Sequence, residues 1–128
     1  MKTLLPDGWP RPKGYANGVL AGRVVFVAGQ VGWTPHGVFA ETSFSGQFRQ
    51  VLDNTLAILA AARAGPEHVA RMTWYVTDKQ KYLSSLAEVG AIWREKMGRH
   101  YPALAVVQVS ALMEDAALLE IETTAVLP

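Results

Sequence analysis

Between Ser43 and Gly65, one side of the chain repeats at Phe44, Phe48, Val51, Leu52, Thr55, Ile58, Leu59 and Ala62. That spacing is helical and leaves a single, mostly apolar stripe. Thr42 or Ser43 can cap the start, and Gly65 followed by Pro66 stops the run. A second stripe follows at Tyr82, Leu86, Val89, Trp93 and Met97, with Asp78 as a cap before it and Gly98 as a stop after it. Two one-sided helices cannot be stable alone. The rest of the chain has to offer them a broad apolar face.

The remaining segments read as strands. "GVLA" and "VVFVAGQ" predict a hairpin over Gly18–Ala21 and Val24–Gln30. In Arg71–Thr77, Met72, Trp74 and Val76 alternate with Thr73, Tyr75 and Thr77, the period of a half-buried strand. Ala103–Val109 and Leu118–Leu127 supply two more, joined by a turn at "MEDAA". The first 15 residues hold Pro6, Pro10, Pro12, Gly8 and Gly14, which disfavour helix and predict an extended arm over residues 1–14. Trp9 and Tyr15 suggest that this arm docks on the body. The predicted order is β-β-α-β-α-β-β, an α+β domain of two layers spanning residues 1–128. Covering one sheet face with two helices leaves the other face bare. Layer counting therefore points to packing against further copies of the chain.

Composition narrows the chemistry. The 128 residues contain no cysteine, which excludes disulfide scaffolds, thiolate metal sites and cysteine nucleophiles. His36, His68 and His100 lack a metal-ligand spacing. No Gly-x-Ser-x-Gly elbow occurs, and "GQVG" at Gly29–Gly32 is too short for a nucleotide-binding loop. There a glycine reads as a strand end where backbone must approach closely. With 12 basic and 11 acidic residues and no basic block, nucleic acid is not an expected partner. No run approaches the ~20 apolar residues of a membrane helix, and the N-terminus lacks a signal peptide, so a soluble cytoplasmic protein is expected.

The main chemical signal is in "LLEIETTAVL". Glu120 and Glu122 lie two residues apart and share one face of an otherwise apolar strand. They fit a solvated strand face. On pattern alone that is the favoured reading; the functional one is a carboxylate held in a cleft between subunits, where partial burial would raise its pKa and suit it to act as a base toward water. Trp33 and Tyr75 are placed to reach such a cleft, or to be packed aromatics.

The ordered set of segments resembles the RidA/YjgF family of reactive-intermediate deaminases. "KGYANGVLAGRVVFVAGQVG" is similar to that family's first hairpin with its Ser-Gly-Gln end. "QFRQVLDNTLAILAAARAGPEHVARMTWYVTD" is similar to its first helix and following strand, and "YPALAVVQVSALMEDAALLEIETTAV" to its Pro-Ala-Arg region and closing strand. The resemblance runs from about Lys13 to Val126. It implies a chorismate-mutase-like fold and a homotrimer whose sheets form a central β-barrel, with clefts between subunits. It also implies hydrolysis of enamines or imines to a carbonyl compound and ammonia, without metal or organic cofactor. The family's cleft glutamate falls on Glu120, which would position or activate water. Tyr15, Ala28, Trp33, Leu86, Leu104 and the backbone amide of Ala105 would line the substrate site.

Several positions depart from the family pattern. Leu104 stands where typical deaminases carry the arginine that pairs with the substrate carboxylate, and leucine cannot make that contact. Ala28 replaces the family serine, and Leu86 its asparagine. The implied pocket is more apolar, with altered specificity, unless Arg11 or Lys13 of the arm substitutes as the cation. A non-catalytic metabolite-binding trimer, an aminomuconate-type deaminase and a ribonuclease remain alternatives.

Overall fold

The computed structural model describes all 128 residues. Its elements are β1 (Lys2–Leu4), β2 (Gly18–Ala21), β3 (Val24–Val31), α1 (Phe44–Ala61), a 3-10 turn (Pro66–His68), β4 (Val69–Val76), α2 (Lys79–Leu83), α3 (Leu86–Met97), β5 (Ala103–Gln108) and β6 (Leu119–Val126). They form one six-stranded sheet in the order β1-β2-β3-β6-β4-β5. All pairings are antiparallel except β4 with β5, which are joined by the α2–α3 crossover. The helices lie on one face, giving the two-layer α+β arrangement expected from the sequence.

Two elements differ from the sequence reading. The arm is not wholly irregular: Lys2–Leu4 pairs with Gly18–Leu20 as an edge strand, and Leu4 is buried. Three residues ahead of Pro6 are too few for a periodicity signal. The second helical stripe is also split. Asp78 caps α2 by accepting from the amides of Gln80 and Lys81, but the helix ends at Leu83, and Ser84 and Ser85 bond back to the Lys81 carbonyl. Serine side chains compete for backbone partners in this way and interrupt helices. Ser43, rather than Thr42, caps α1, accepting from the Gly46 amide at 3.0 Å.

The core lies between α1, α3 and the inner sheet face. Leu119, Ile121, Thr123 and Ala125 alternate inward along β6, and Met72, Trp74 and Val76 do so along β4. Trp74 sits at the centre of an aromatic cluster, 5.0 Å from Phe48 and 5.9 Å from Trp93 between ring centroids, with Tyr82 edge-on at 6.3 Å.

The outer sheet face carries no helix. Strand alternation places Glu120, Glu122, Thr124, Arg71, Thr73 and Tyr75 across its centre. Its margins are apolar, with Phe26, Val126 and Val107 exposed. The bare face is therefore mixed, polar in the middle and apolar at both sides, rather than apolar throughout.

Candidate functional site

Glu120 is placed by a defect in the sheet. β3 pairs regularly with β6 up to Val27, and pairing resumes at Gln30 opposite Ile121. Ala28 and Gly29 form the irregular segment between, a β-bulge. Two contacts hold it: the Ala28 amide donates to the Asn17 carbonyl at 2.8 Å, and Gln30 Nε2 donates to the Ala28 carbonyl at 3.0 Å. Gly29 then leaves a gap that the Glu120 side chain fills. A Cβ built on Gly29 would stand 2.5 Å from Glu120 Oε2. The glycine makes room for the neighbouring side chain and is not needed for its own backbone angles.

Glu120 is half-buried there. Burial pushes its carboxyl above the usual range, and the negative charge of Glu122 adds to the rise. Glu122 is exposed and accepts a 2.7 Å hydrogen bond from the Tyr75 hydroxyl. Tyr75 lies directly opposite Glu120 in the β4–β6 register, so its hydroxyl reaches diagonally to Glu122. That bond, then desolvation and the two carboxylates, raises the Tyr75 pKa. The two acids of the closing strand thus have different settings. One is tied to a tyrosine at the surface, and the other is half-buried and without a hydrogen-bond donor.

Beside Gly29, the N-terminal strap encloses a pocket of about 150 Å³. Trp9, Arg11 and Tyr15 line it from the strap, and Gln30, Trp33 and Asn54 from the body. Asn54 is buried; its Nδ2 donates to the Trp33 carbonyl at 2.7 Å and its Oδ1 accepts from Gln50. Asn17, Gln30 and Asn54 were not singled out from the sequence. A buried amide in a helical stripe or at a strand end carries no local signature.

The other sequence-derived site residues lie elsewhere in the chain. Leu86 and Leu104 share a groove of about 350 Å³ on the helix side of β5, with Tyr82, Trp93 and Tyr101. Leu104 pairs in register with the inward-facing Met72, so it points away from the face that carries Glu120. Ala105 pairs with Thr73 and is on the outer face. Ala28 lines a hollow of about 440 Å³ on that face together with Phe26, Arg71 and Glu122. Within a single chain the expected site therefore falls into two parts: Tyr15, Ala28, Trp33 and Glu120 around the bulge, and Leu86 and Leu104 at the opposite edge of the sheet.

A family model described as endoribonuclease L-PSP matches residues 10–127, nearly the whole chain and all the elements that build these two parts. The chain belongs to the RidA/YjgF family. Its relatives include a RutC family protein of Pyrococcus horikoshii, 33% identical over 126 residues, covering 97% of this chain and 96% of that one. Another is the 2-iminobutanoate/2-iminopropanoate deaminase of Escherichia coli, 31% identical over 129 residues, with 98% and 97% covered. Among solved structures, Escherichia coli TdcF with bound serine superposes with a TM-score of 0.84 at 30% identity, each chain fully covered.

This RidA/YjgF chain has no group of three or more His, Asp or Glu placed to hold a metal ion. Two of its three histidines have structural partners instead. His100 Nε2 donates to the Val69 carbonyl at 2.6 Å, and His68 Nδ1 accepts from the Gly65 amide at 2.9 Å. No helix is long and apolar enough to cross a membrane.

Proposed function

We propose that the protein hydrolyses a reactive imine or enamine to a carbonyl compound and ammonia, on a substrate other than the smallest 2-imino acids. The observation that carries this reading is the half-buried Glu120 carboxylate seated against Gly29, with a raised pKa and no hydrogen-bond donor of its own. A carboxylate in that state is a competent base toward water. As water adds to the C=N carbon, Glu120 takes its proton and passes it to the nitrogen, which becomes an amine on a tetrahedral carbon. The carbinolamine then collapses: Glu120 takes the hydroxyl proton and delivers it to the amine, the C=O bond forms, the C–N bond breaks, and ammonia leaves. General-base help of this kind is worth roughly 10²–10⁴-fold in rate.

The relatives support the class of reaction, since one is named a 2-iminobutanoate/2-iminopropanoate deaminase. Leu104 supports the altered specificity. It offers no charge to a substrate carboxylate, and the groove it lines is largely aromatic and aliphatic. We further propose a homotrimer in which the Leu86–Leu104 groove of one subunit meets the Glu120 side of its neighbour. Its support is the division of the site within one chain and the helix-free sheet face with apolar margins. The ribonuclease description of the family model has little support in the charge pattern, with 12 basic residues balanced by 11 acidic ones.

The test is an imine-lifetime assay. An amino-acid oxidase generates imines from small, aromatic and basic amino acids, and semicarbazide traps what survives. Wild type should clear at least one imine, and Glu120→Gln should lose that activity while keeping its oligomeric state. Unchanged turnover in Glu120→Gln would sink the assigned role. An inert wild type together with a Leu104→Arg variant that clears 2-iminopropanoate would move a metabolite-binding function ahead.

A further inference from the structure

We infer that the pocket under the N-terminal strap binds the carboxylate of a small organic acid with a flat apolar body, and that Arg11 is its cation.

The strap is tied down at both ends. Leu4 is buried at the end of β1, and Gly18 begins β2 in a place where a Cβ would stand 2.7 Å from Ile58. Between them, the Trp9 amide donates to the Pro6 carbonyl at 3.1 Å, and the Trp9 side chain packs against the core. Pro10 and Pro12 flank Arg11 and restrict the backbone around it. The exposed Arg11 side chain lines the pocket without being part of any ion pair. The salt bridges of the chain join Arg49 to Glu95, and Lys96 to Asp53 and Glu95, while Asp7, the acid of the strap, pairs with none. A guanidinium at a pocket wall with no carboxylate partner is suited to an incoming one, which it can grip with two parallel hydrogen bonds.

The rest of the lining selects the body of the ligand. Trp9, Tyr15 and Trp33 supply three aromatic surfaces, and Trp33 is fixed by Asn54 through its carbonyl. A flat apolar group can stack on such surfaces. Gly29 forms part of the same wall, and the Glu120 carboxylate packs against Gly29. An acid held by Arg11 would therefore lie beside the proposed water-activating group. The pocket is built from one chain and does not use Leu104. The inference deepens the imine-hydrolase reading, naming its substrate as a 2-imino acid with a planar side chain, and rests on that reading for the reaction though not for the binding.

The experiment is calorimetric titration with phenylpyruvate, a 2-oxo acid with the required shape, and with phenylacetone, which lacks the carboxylate. Wild type should bind phenylpyruvate at least tenfold more tightly, with the preference shrinking as salt rises. Arg11→Met should abolish that preference while leaving phenylacetone binding unchanged, and Arg11→Lys should keep part of it. Arg11 is exposed, so these variants should fold, which circular dichroism checks. Unchanged phenylpyruvate affinity in Arg11→Met, no preference in wild type, or no binding of either probe would each overturn the inference. Glu120→Gln separates the two ideas. If no imine is hydrolysed but Arg11-dependent binding persists in both wild type and Glu120→Gln, the reaction falls and the site stands.

Discussion

The carboxylate of Glu120 fills the volume that a side chain on Gly29 would need: a Cβ there would stand 2.5 Å from Oε2 and 2.8 Å from Cδ. The two residues meet across the β3–β6 boundary at a bulge, so an absent side chain on one strand sets the position of a functional group on the next. Gly29→Ala should therefore act on chemistry more than on folding. The clash is with the end of a flexible side chain, which can swing aside. The variant should melt within a few degrees of wild type and lose about 10–100-fold in kcat/KM for any imine the protein hydrolyses, because the base is misplaced. Parallel melting and turnover measurements check both halves.

Glu120 should impose a rising acid limb on activity. The group must be ionised to take a proton from water, and burial places its folded-state pKa above the ordinary carboxylate range. Rates should increase with pH through that raised value and level off above it. Stability should run the other way. A carboxyl that holds its proton more tightly when folded favours the native state below its unfolded pKa, and that advantage fades as pH rises through the folded one. Glu120→Gln should flatten this part of both profiles, a comparison readable from Tm and rate between pH 4 and 8.

Glu122 should tune that limb from a distance. Its charge helps raise the Glu120 pKa, and it is exposed. Glu122→Gln should shift the acid limb to lower pH with little change in the plateau rate. A lost plateau instead would mean that Glu122 takes part in the reaction itself. Tyr75→Phe removes the 2.7 Å bond to Glu122 and should leave Tm nearly unchanged, as expected of a contact on the solvated face.

Gln47 should be the costliest polar side chain to remove. It is 1% exposed; its Nε2 donates to the Glu41 and Ala116 carbonyls, and its Oε1 accepts from the Leu118 amide at 2.8 Å. Gln47→Ala strands these groups and should cost about 2–4 kcal/mol, a fall in Tm on the order of 10 °C. Leu118 precedes β6 directly, so the entry to the strand that bears Glu120 should also loosen. Faster amide hydrogen exchange at Leu118 and Leu119 would show it.

Two helical stripes and five strand patterns were legible in the sequence because each is a local regularity. Phe44 to Ala62 repeats at 3.6 residues, and Met72 to Val76 at two. Those periods demanded a sheet with helices on one side. Glu120 and Glu122 stood out for a similar reason, as two charges where the alternation left one face. Local pattern could not reveal the Ala28–Gly29 bulge, since it exists only in the register with β6, and the side chain beside Gly29 is more than 90 positions away in the sequence. Nor could it reveal that Leu104 faces the helices while Ala105 faces outward, because that depends on the register with β4. Periodicity fixed which residues turn inward along each element. Only the packing of one element on another decided which of them meet, and so which acid is half-buried, which is tied to Tyr75, and which arginine lines the pocket beside Gly29.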